Sequence, residues 1–314
     1  DRKKLILATN SLHLVPSLAL GFLTLTGAVQ VWHVYLFGFI SSLVEVFGSP
    51  ARSALIPRLV PQSHLLNAVT LHTMISQSSF LVGPAIAGVL IDRAGLAPTY
   101  FACAVLVLPA ILGVLAVRSS GKPEGERRRV SLQSIVEGVE FIWTQRIILS
   151  LFLLDFGVTL VGFYRPILPI FAGDVFKTGA TGLGTLYAAP AVGSLLGSTS
   201  LLLAGDIRRK GASVVVAAVC FAASLALLGI SQWFWVAAVA VMALGFTDAI
   251  SVAMRRTVVQ LLAPDAMLGR ASSLLTVFAQ TTNALGALLA GGAAQLFGAP
   301  NALLLGSGLC LVMI

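Results

Sequence analysis

Charge is scarce in this chain. Only 10% of its 314 residues are Asp, Glu, Lys or Arg, where a soluble domain carries about 25%. With 57% of the residues hydrophobic, a soluble fold would be left with large sticky surfaces, so a water-soluble globular domain is excluded. Cysteine is rare as well. Cys103, Cys220 and Cys310 fall in separate apolar runs, with no CxxC and no Cys/His pairing, which excludes a disulfide framework and a zinc site. The short signatures of catalysis are also missing: there is no HExxH, GxSxG, GxGxxG or Walker loop. Gly121-Lys122 is followed by Pro123 and has no glycine at the required upstream spacing. An enzyme is therefore not expected, and no cofactor or metal is implied. No signal peptide is visible. The chain opens on Asp1-Arg2-Lys3-Lys4 and stops at Ile314 inside an apolar run, so both ends read as cut from something longer.

What the chain does have is a series of long apolar runs. A helix crossing about 30 Å of hydrocarbon needs roughly 20 mostly apolar residues. Ten such spans are read, near 5–24, 31–49, 67–91, 97–117, 147–173, 180–204, 212–231, 233–250, 270–297 and 300–314, the last incomplete. The runs are continuous rather than alternating, which disfavours strands. Threading these spans back and forth sorts the 20 Lys and Arg residues: 17 fall in loops on one side, Arg93 and Lys177 on the other, and Arg165 inside a span. The side rich in positive charge is expected to be cytoplasmic. The net charge of +8 is then a topology signal and a match to anionic lipid headgroups rather than a nucleic-acid footprint. Trp32, Trp143, Trp233 and Trp235 sit near span ends, where an aromatic belt is expected.

The chain also repeats itself. Arg52–Gly95 aligns without gaps on Arg255–Gly298, an offset of 203, with about a dozen of 44 pairs identical. Arg52 meets Arg255, Pro61 meets Pro264, Gln77 meets Gln280, Gly83 meets Gly286, Gly88 meets Gly291 and Gly95 meets Gly298. Just upstream Glu45 lies opposite Asp248. Such a period, built from apolar spans and basic loops, implies two similar membrane halves. Between them lies the longest polar stretch, 118–146. Its first part, Arg118–Val130, is Gly, Pro and charge, a flexible linker. From Ser131 onward Leu132, Ile135, Val136, Val139, Ile142 and Trp143 recur at helical spacing, an amphipathic helix for the membrane surface. The expected organisation is an N-terminal bundle over 1–117, a cytoplasmic linker over 118–146 and a C-terminal bundle over 147–314.

Several stretches together resemble the major facilitator superfamily, in its branch of enterobactin exporters and macrolide efflux carriers. They are Gly48-Ser-Pro-Ala-Arg-Ser-Ala-Leu-Ile-Pro-Arg-Leu-Val-Pro61, Leu65-Leu-Asn-Ala68 and Val82-Gly-Pro-Ala-Ile-Ala-Gly88. The opening Asp1-Arg2-Lys3-Lys4 resembles the end of that superfamily's basic loop between its second and third helices, and Gly205-Asp-Ile-Arg-Arg-Lys-Gly211 the equivalent loop of the second half. The resemblance implies an all-α membrane fold of two pseudo-symmetric helix bundles, with the ten spans standing for helices three to twelve of twelve. It also implies a gating charge clamp, here Asp1, Arg2, Glu45, Asp206, Arg208, Arg209 and Asp248. Glu45, about five residues from the end of its span, is expected close to Arg2, and Asp248 close to Arg208 or Arg209. Both carboxylates can instead be read as proton carriers, since a desolvated carboxylate binds protons more readily.

Asp155 lies about 13 Å along its span, at mid-bilayer depth, with Thr159 and Gly162 on the same face. It is read either as a proton or cationic-substrate site or as a structural hydrogen-bonding group. Arg165 either attracts an anionic substrate or snorkels outward. Tyr164 with Pro166 and Pro169 suggests a bent, broken outer end. Gln77 and Gln280, with His72, Ser76, Ser79, Thr281, Thr282 and Asn283 nearby, line an interface or touch substrate. Gly83, Pro84 and Gly88 resemble the superfamily's antiporter motif, a packing seam, or are ordinary small-residue packing. His13 and His33 are read as structural. In one departure from the superfamily, the span Val31–Ser49 has no arginine, so a coupling scheme built on that residue does not carry over.

The expectation is a secondary transporter of the cytoplasmic (inner) membrane that exports a small amphipathic molecule, drug-like or siderophore-like, by proton-coupled alternating access. Its partners would be that small molecule, protons and membrane lipid, with no nucleic acid, and the carrier would be monomeric. Uptake or lipid-precursor transport on the same fold, and a non-transporting receptor or scaffold, are the alternatives.

Overall fold

A computed structural model describes residues 2–61, 64–117, 139–140, 142–205 and 209–314. Ten long helices carry them: α1 Arg2–Leu25, α2 Val31–Leu59, α3 Leu65–Ala94, α4 Leu96–Ala116, α5 Arg146–Val161, α6 Gly179–Ala204, α7 Lys210–Ile230, α8 Phe234–Leu262, α9 Asp265–Phe297 and α10 Ala299–Met313. No strand occurs among the described residues. Eight spans among the described residues are long and apolar enough to cross a bilayer, and α10 is a shorter apolar helix. This follows from the solvent: in hydrocarbon every backbone N–H and C=O must be satisfied within the segment, which a helix does. The unbroken runs of Leu, Val, Ala and Phe match that requirement.

Two boundaries differ from those read by hydropathy. The span expected at 31–49 is a helix to Leu59, and the span at 233–250 is a helix to Leu262. Apolarity marks where hydrocarbon ends, whereas a helix continues as long as its residues tolerate helical angles. Ser53, Ala54 and Leu55 after Arg52, and Thr257, Val258 and Val259 after Arg256, continue theirs. Glu45 and Asp248 therefore lie about 21 Å from the ends of their helices, each the fifteenth residue of 29. The repeat is visible in local structure too. Gly95 joins α3 to α4 at φ +89° and Gly298 joins α9 to α10 at φ +82°, angles that favour a residue without a Cβ.

The helices cluster into two compact units, one of residues 1–79 and 86–127 and the other of 80–85 and 128–314. In the first unit α1 packs on α2 and α4. Phe22 and Phe101 meet edge to face at 5.1 Å, a geometry favoured by the ring quadrupoles. Lys3 Nζ donates to the carbonyls of Leu115 and Val117 at 3.1 and 2.5 Å, satisfying the last carbonyls of α4. A small core of Ile6, Ala51 and Leu55 closes this end.

In the second unit the main core joins Tyr164, Phe171, Leu186, Leu228, Val241 and Leu244 among others. Here α6 and α8 approach at backbone contact. A Cβ on Gly193 would stand 1.8 Å from the Met242 carbonyl oxygen, and one on Gly245 would stand 2.1 Å from that of Pro190. Small residues permit such approach, which is how helices associate where lipid removes the hydrophobic drive between them. Beyond α5 the chain breaks, as Tyr164, Pro166 and Pro169 suggest: a 3-10 turn at Arg165–Ile167, a single α turn at Leu168–Ile170 and a π turn at Phe171–Val175. The prolines supply no N–H, so a regular ladder cannot continue through them.

The α6–α8 contact sets a stability test. Gly245→Val should destabilise the protein by at least ~1–3 kcal/mol through overpacking, read as a lower thermal midpoint of the detergent-solubilised protein. Gly38→Ala, at a site with nothing within 4 Å of the new Cβ, should leave the midpoint unchanged or higher. Equal midpoints for the two variants would refute the close-contact reading.

Candidate functional site

Three carboxylates set inside apolar helices define the chemistry, and each has a different environment. In the first unit Glu45 is held by two side chains, Arg52 and His13. The Arg52 guanidinium, seven residues on along α2, pairs with its Oε1. His13 of α1 lies 3.5 Å from its Oε2. Seven residues are nearly two full turns, so Arg52 lies almost directly below Glu45 on one face. The group is half exposed, with 48% of the Glu45 side chain accessible.

In the second unit the same spacing gives a different result. Arg255 stands to Asp248 as Arg52 stands to Glu45, yet its guanidinium pairs with Asp155 of α5. Only 10% of the Arg255 side chain and 29% of Asp155 are accessible, so this pair is the more sheltered of the two. Thr159, one turn along α5, donates from Oγ1 to Asp155 Oδ1 at 3.3 Å. Asp155 thus has a hydrogen bond on its own helix and an arginine partner on α8. A charge pair in a low-dielectric place stays put only when its desolvation is offset by close partners.

Asp248 is left exposed. Among the described residues no hydrogen bond or ion pair reaches its carboxylate. Its electrostatic neighbour is Arg165, whose guanidinium also hydrogen-bonds Tyr164. The Tyr187 hydroxyl of α6 donates to the Arg165 carbonyl at 3.2 Å, tying the broken segment to α6. Tyr164 is buried in the core and Arg165 is exposed.

The other expected residues fall as follows. Gln77 and Gln280 are both exposed, on α3 and α9. Gly83 has open space around it, Gly88 is buried, and α3 runs as one helix through Pro84. Asp1, Asp206 and Arg208 lie outside the described residues, as does the side chain of Arg2. Arg209 is exposed and its carbonyl accepts from Ser213. Most of the expected amphipathic helix also lies outside; of it, 139–140 and 142–144 are helical. Among the described residues no cluster of metal-ligating side chains occurs.

Sequence reasoning missed Arg52, Arg255 and His13 as partners. The repeat offered the signal for the first two, since Arg52 against Arg255 was its opening pair. His13 carried none, because its partner is 32 residues away on another helix.

These features can be set against known proteins. A family model described as transmembrane secretion effector matches residues 1–314. The chain is 28% identical over 294 residues to an enterobactin exporter of Escherichia coli, covering 93% of this chain and 70% of that protein. It is 27% identical over 293 residues to an enterobactin exporter of Shigella boydii, with the same coverage. Among solved structures, a bacterial homologue of the human lysosomal transporter Spinster, inward-facing and unoccupied, superposes with a TM-score of 0.65 at 13% identity. It covers 100% of this chain and 80% of that one. A bacterial homologue of the iron transporter ferroportin, inward-facing, gives 0.64 at 15% identity and covers 99% and 82%. These two show the fold, that of an all-α multi-pass membrane transporter. With its whole length matched, the chain belongs to the transmembrane secretion effector family of the major facilitator superfamily, a family of exporters.

Proposed function

We propose that this protein exports a small amphipathic molecule of the siderophore class across the cytoplasmic membrane, driven by proton entry through alternating access of its two halves. The observation that carries the proton part is the Asp155–Arg255 pair. An ionised carboxylate at bilayer depth is costly unless partnered, and a partnered carboxylate that can exchange its partner for a proton is a means of loading and unloading one. The sequence holds no ATP-binding loop, which supports an ion gradient as the source of energy. The enterobactin exporters it resembles support export as the direction and a siderophore-like cargo. Loops rich in lysine and arginine then face the cytoplasm.

Asp155 is the proton-coupling group in this reading, and Arg165, backed by the buried Tyr164, is the polar group offered to cargo. Gln280 of the second unit and Gln77 of the first are each further polar groups for cargo in their own unit. Glu45, held by Arg52 and His13, belongs with Asp1, Arg2, Asp206, Arg208 and Arg209 in the charge clamp of the cytoplasmic gate. Gly83, Pro84 and Gly88 form a helix-packing seam. Membrane lipid surrounds a monomeric carrier.

Three measurements test this. Cells bearing the complete protein should accumulate several-fold less of a labelled catecholate siderophore than empty cells, and a proton uncoupler should abolish the difference. Equal accumulation across a broad panel of siderophores and drugs would remove export from consideration. Asp155→Asn should lower pH-driven transport in proteoliposomes roughly tenfold or more, as when a positioned proton acceptor is lost, while substrate exchange at equal pH persists. Undiminished pH-driven transport in that variant would end the coupling role. Glu45→Gln frees Arg52 and His13 and should shift the reactivity of cysteines placed at the cytoplasmic gate more than substrate affinity. Unchanged cysteine reactivity would count against the clamp.

A further inference from the structure

The two halves place an acid and an arginine at matching positions, and use them differently. Glu45 and Arg52 are the fifteenth and twenty-second residues of α2, and Asp248 and Arg255 are the fifteenth and twenty-second of α8. In α2 the arginine takes the acid of its own helix. In α8 it takes Asp155 of α5 instead and leaves Asp248 without an ion pair among the described residues. Two reasons for the difference are visible. Asp248 is one methylene shorter than Glu45, so its carboxylate reaches less far along the helix, and in the second unit Asp155 competes for the arginine.

We propose that Arg255 is shared between Asp155 and Asp248, so that the carboxyl it leaves holds the proton, and that a proton taken up by Asp155 displaces one from Asp248 when Arg255 changes partner. This deepens the proton-driven reading above and rests on it. The structure shows Asp155 paired with Arg255; in the proposal this is the arrangement in which Asp155 is ionised and Asp248 carries a proton on an oxygen. When a proton binds Asp155 its pair with Arg255 breaks. The guanidinium turns to Asp248, as Arg52 already turns to Glu45, and Asp248 releases its proton to water. One proton enters and one leaves. The trio holds one bound proton in both arrangements and its net charge is the same in both, with Arg165 a further positive charge near Asp248 throughout, so the exchange strands neither acid. Arg255 lies about 10 Å along α8 from Asp248, the rise of seven helical residues, the same separation that Arg52 bridges to Glu45.

Other groups facing the trio leave this balance intact. Thr159 donates to Asp155 and carries no charge. Arg256 follows Arg255 on α8 and repels it. Arg165 and Tyr164 lie near Asp248 without an ion pair to it, and α6 adds Tyr187. Besides cysteine, α7 supplies only Lys210 at its first residue, and α10 and the described side chains of α9 carry no ionisable group. Arg255 is a positioning residue in this scheme, since it acts through the two acids.

The test is infrared difference spectroscopy of the complete carrier in lipid nanodiscs at neutral pH, following the C=O stretch of protonated carboxyls. Asp248→Asn should remove one such band. Asp155→Asn should remove the same band, because Arg255 is then free to pair with Asp248 and expel its proton. Arg255→Gln should roughly double the signal, since both acids then hold protons. Arg255→Lys keeps the charge and should retain the single band, which separates the charge effect from misfolding if the glutamine variant proves unstable. Retention of the parent band in Asp155→Asn, or its survival in Asp248→Asn, overturns the exchange. The readout needs no cargo: if the export assay fails while these band changes hold, only the export reading falls.

Discussion

A charge inside hydrocarbon must be neutralised at close range, and the Asp155–Arg255 pair is where this chain meets that demand most tightly. It links α5 to α8 through two side chains that part only when a proton or another charge takes the partner's place. The glycine contacts between α6 and α8 place backbone against backbone, which fixes the position of α8 and so of Arg255. The α10 helix is fixed on the other flank, where Ser307 donates to the Ala222 carbonyl at 2.8 Å and a Cβ on Gly306 would stand 2.4 Å from the Val161 carbonyl oxygen. Small residues bring the helices into contact, and the contact determines which charges can meet.

The fold was largely legible before any coordinates. Apolar runs, the sorting of Lys and Arg and the repeat at 203 residues each report a physical requirement of the bilayer, and each is local or periodic. The broken end after α5 was legible for a similar reason, since Pro166 and Pro169 act on their own backbone. Gly95 and Gly298 were visible as a matched pair, and their positive φ angles follow from being the only residues between two helices.

The site was legible only in part. Asp155, Glu45 and Asp248 stood out because acids in apolar runs are rare. Their partners did not, because a partner is a tertiary fact. Arg255 meets an acid a hundred residues earlier in the chain, and nothing in the local pattern distinguishes it from Arg52, which meets an acid seven residues away. The helix ends were misjudged for a related reason. Hydropathy locates the bilayer, while Arg52 and Arg255 sit on helical backbone that continues past it, and so were counted as loop residues.

The glycine joints have a mechanical consequence. With one residue between α3 and α4, and one between α9 and α10, neither helix pair has slack in its connection. A sliding or tilting of the first helix is delivered at once to the start of the second. Each pair therefore moves as a stiff elbow, and whatever pushes on α9 from one end of the membrane is felt by α10 at the other.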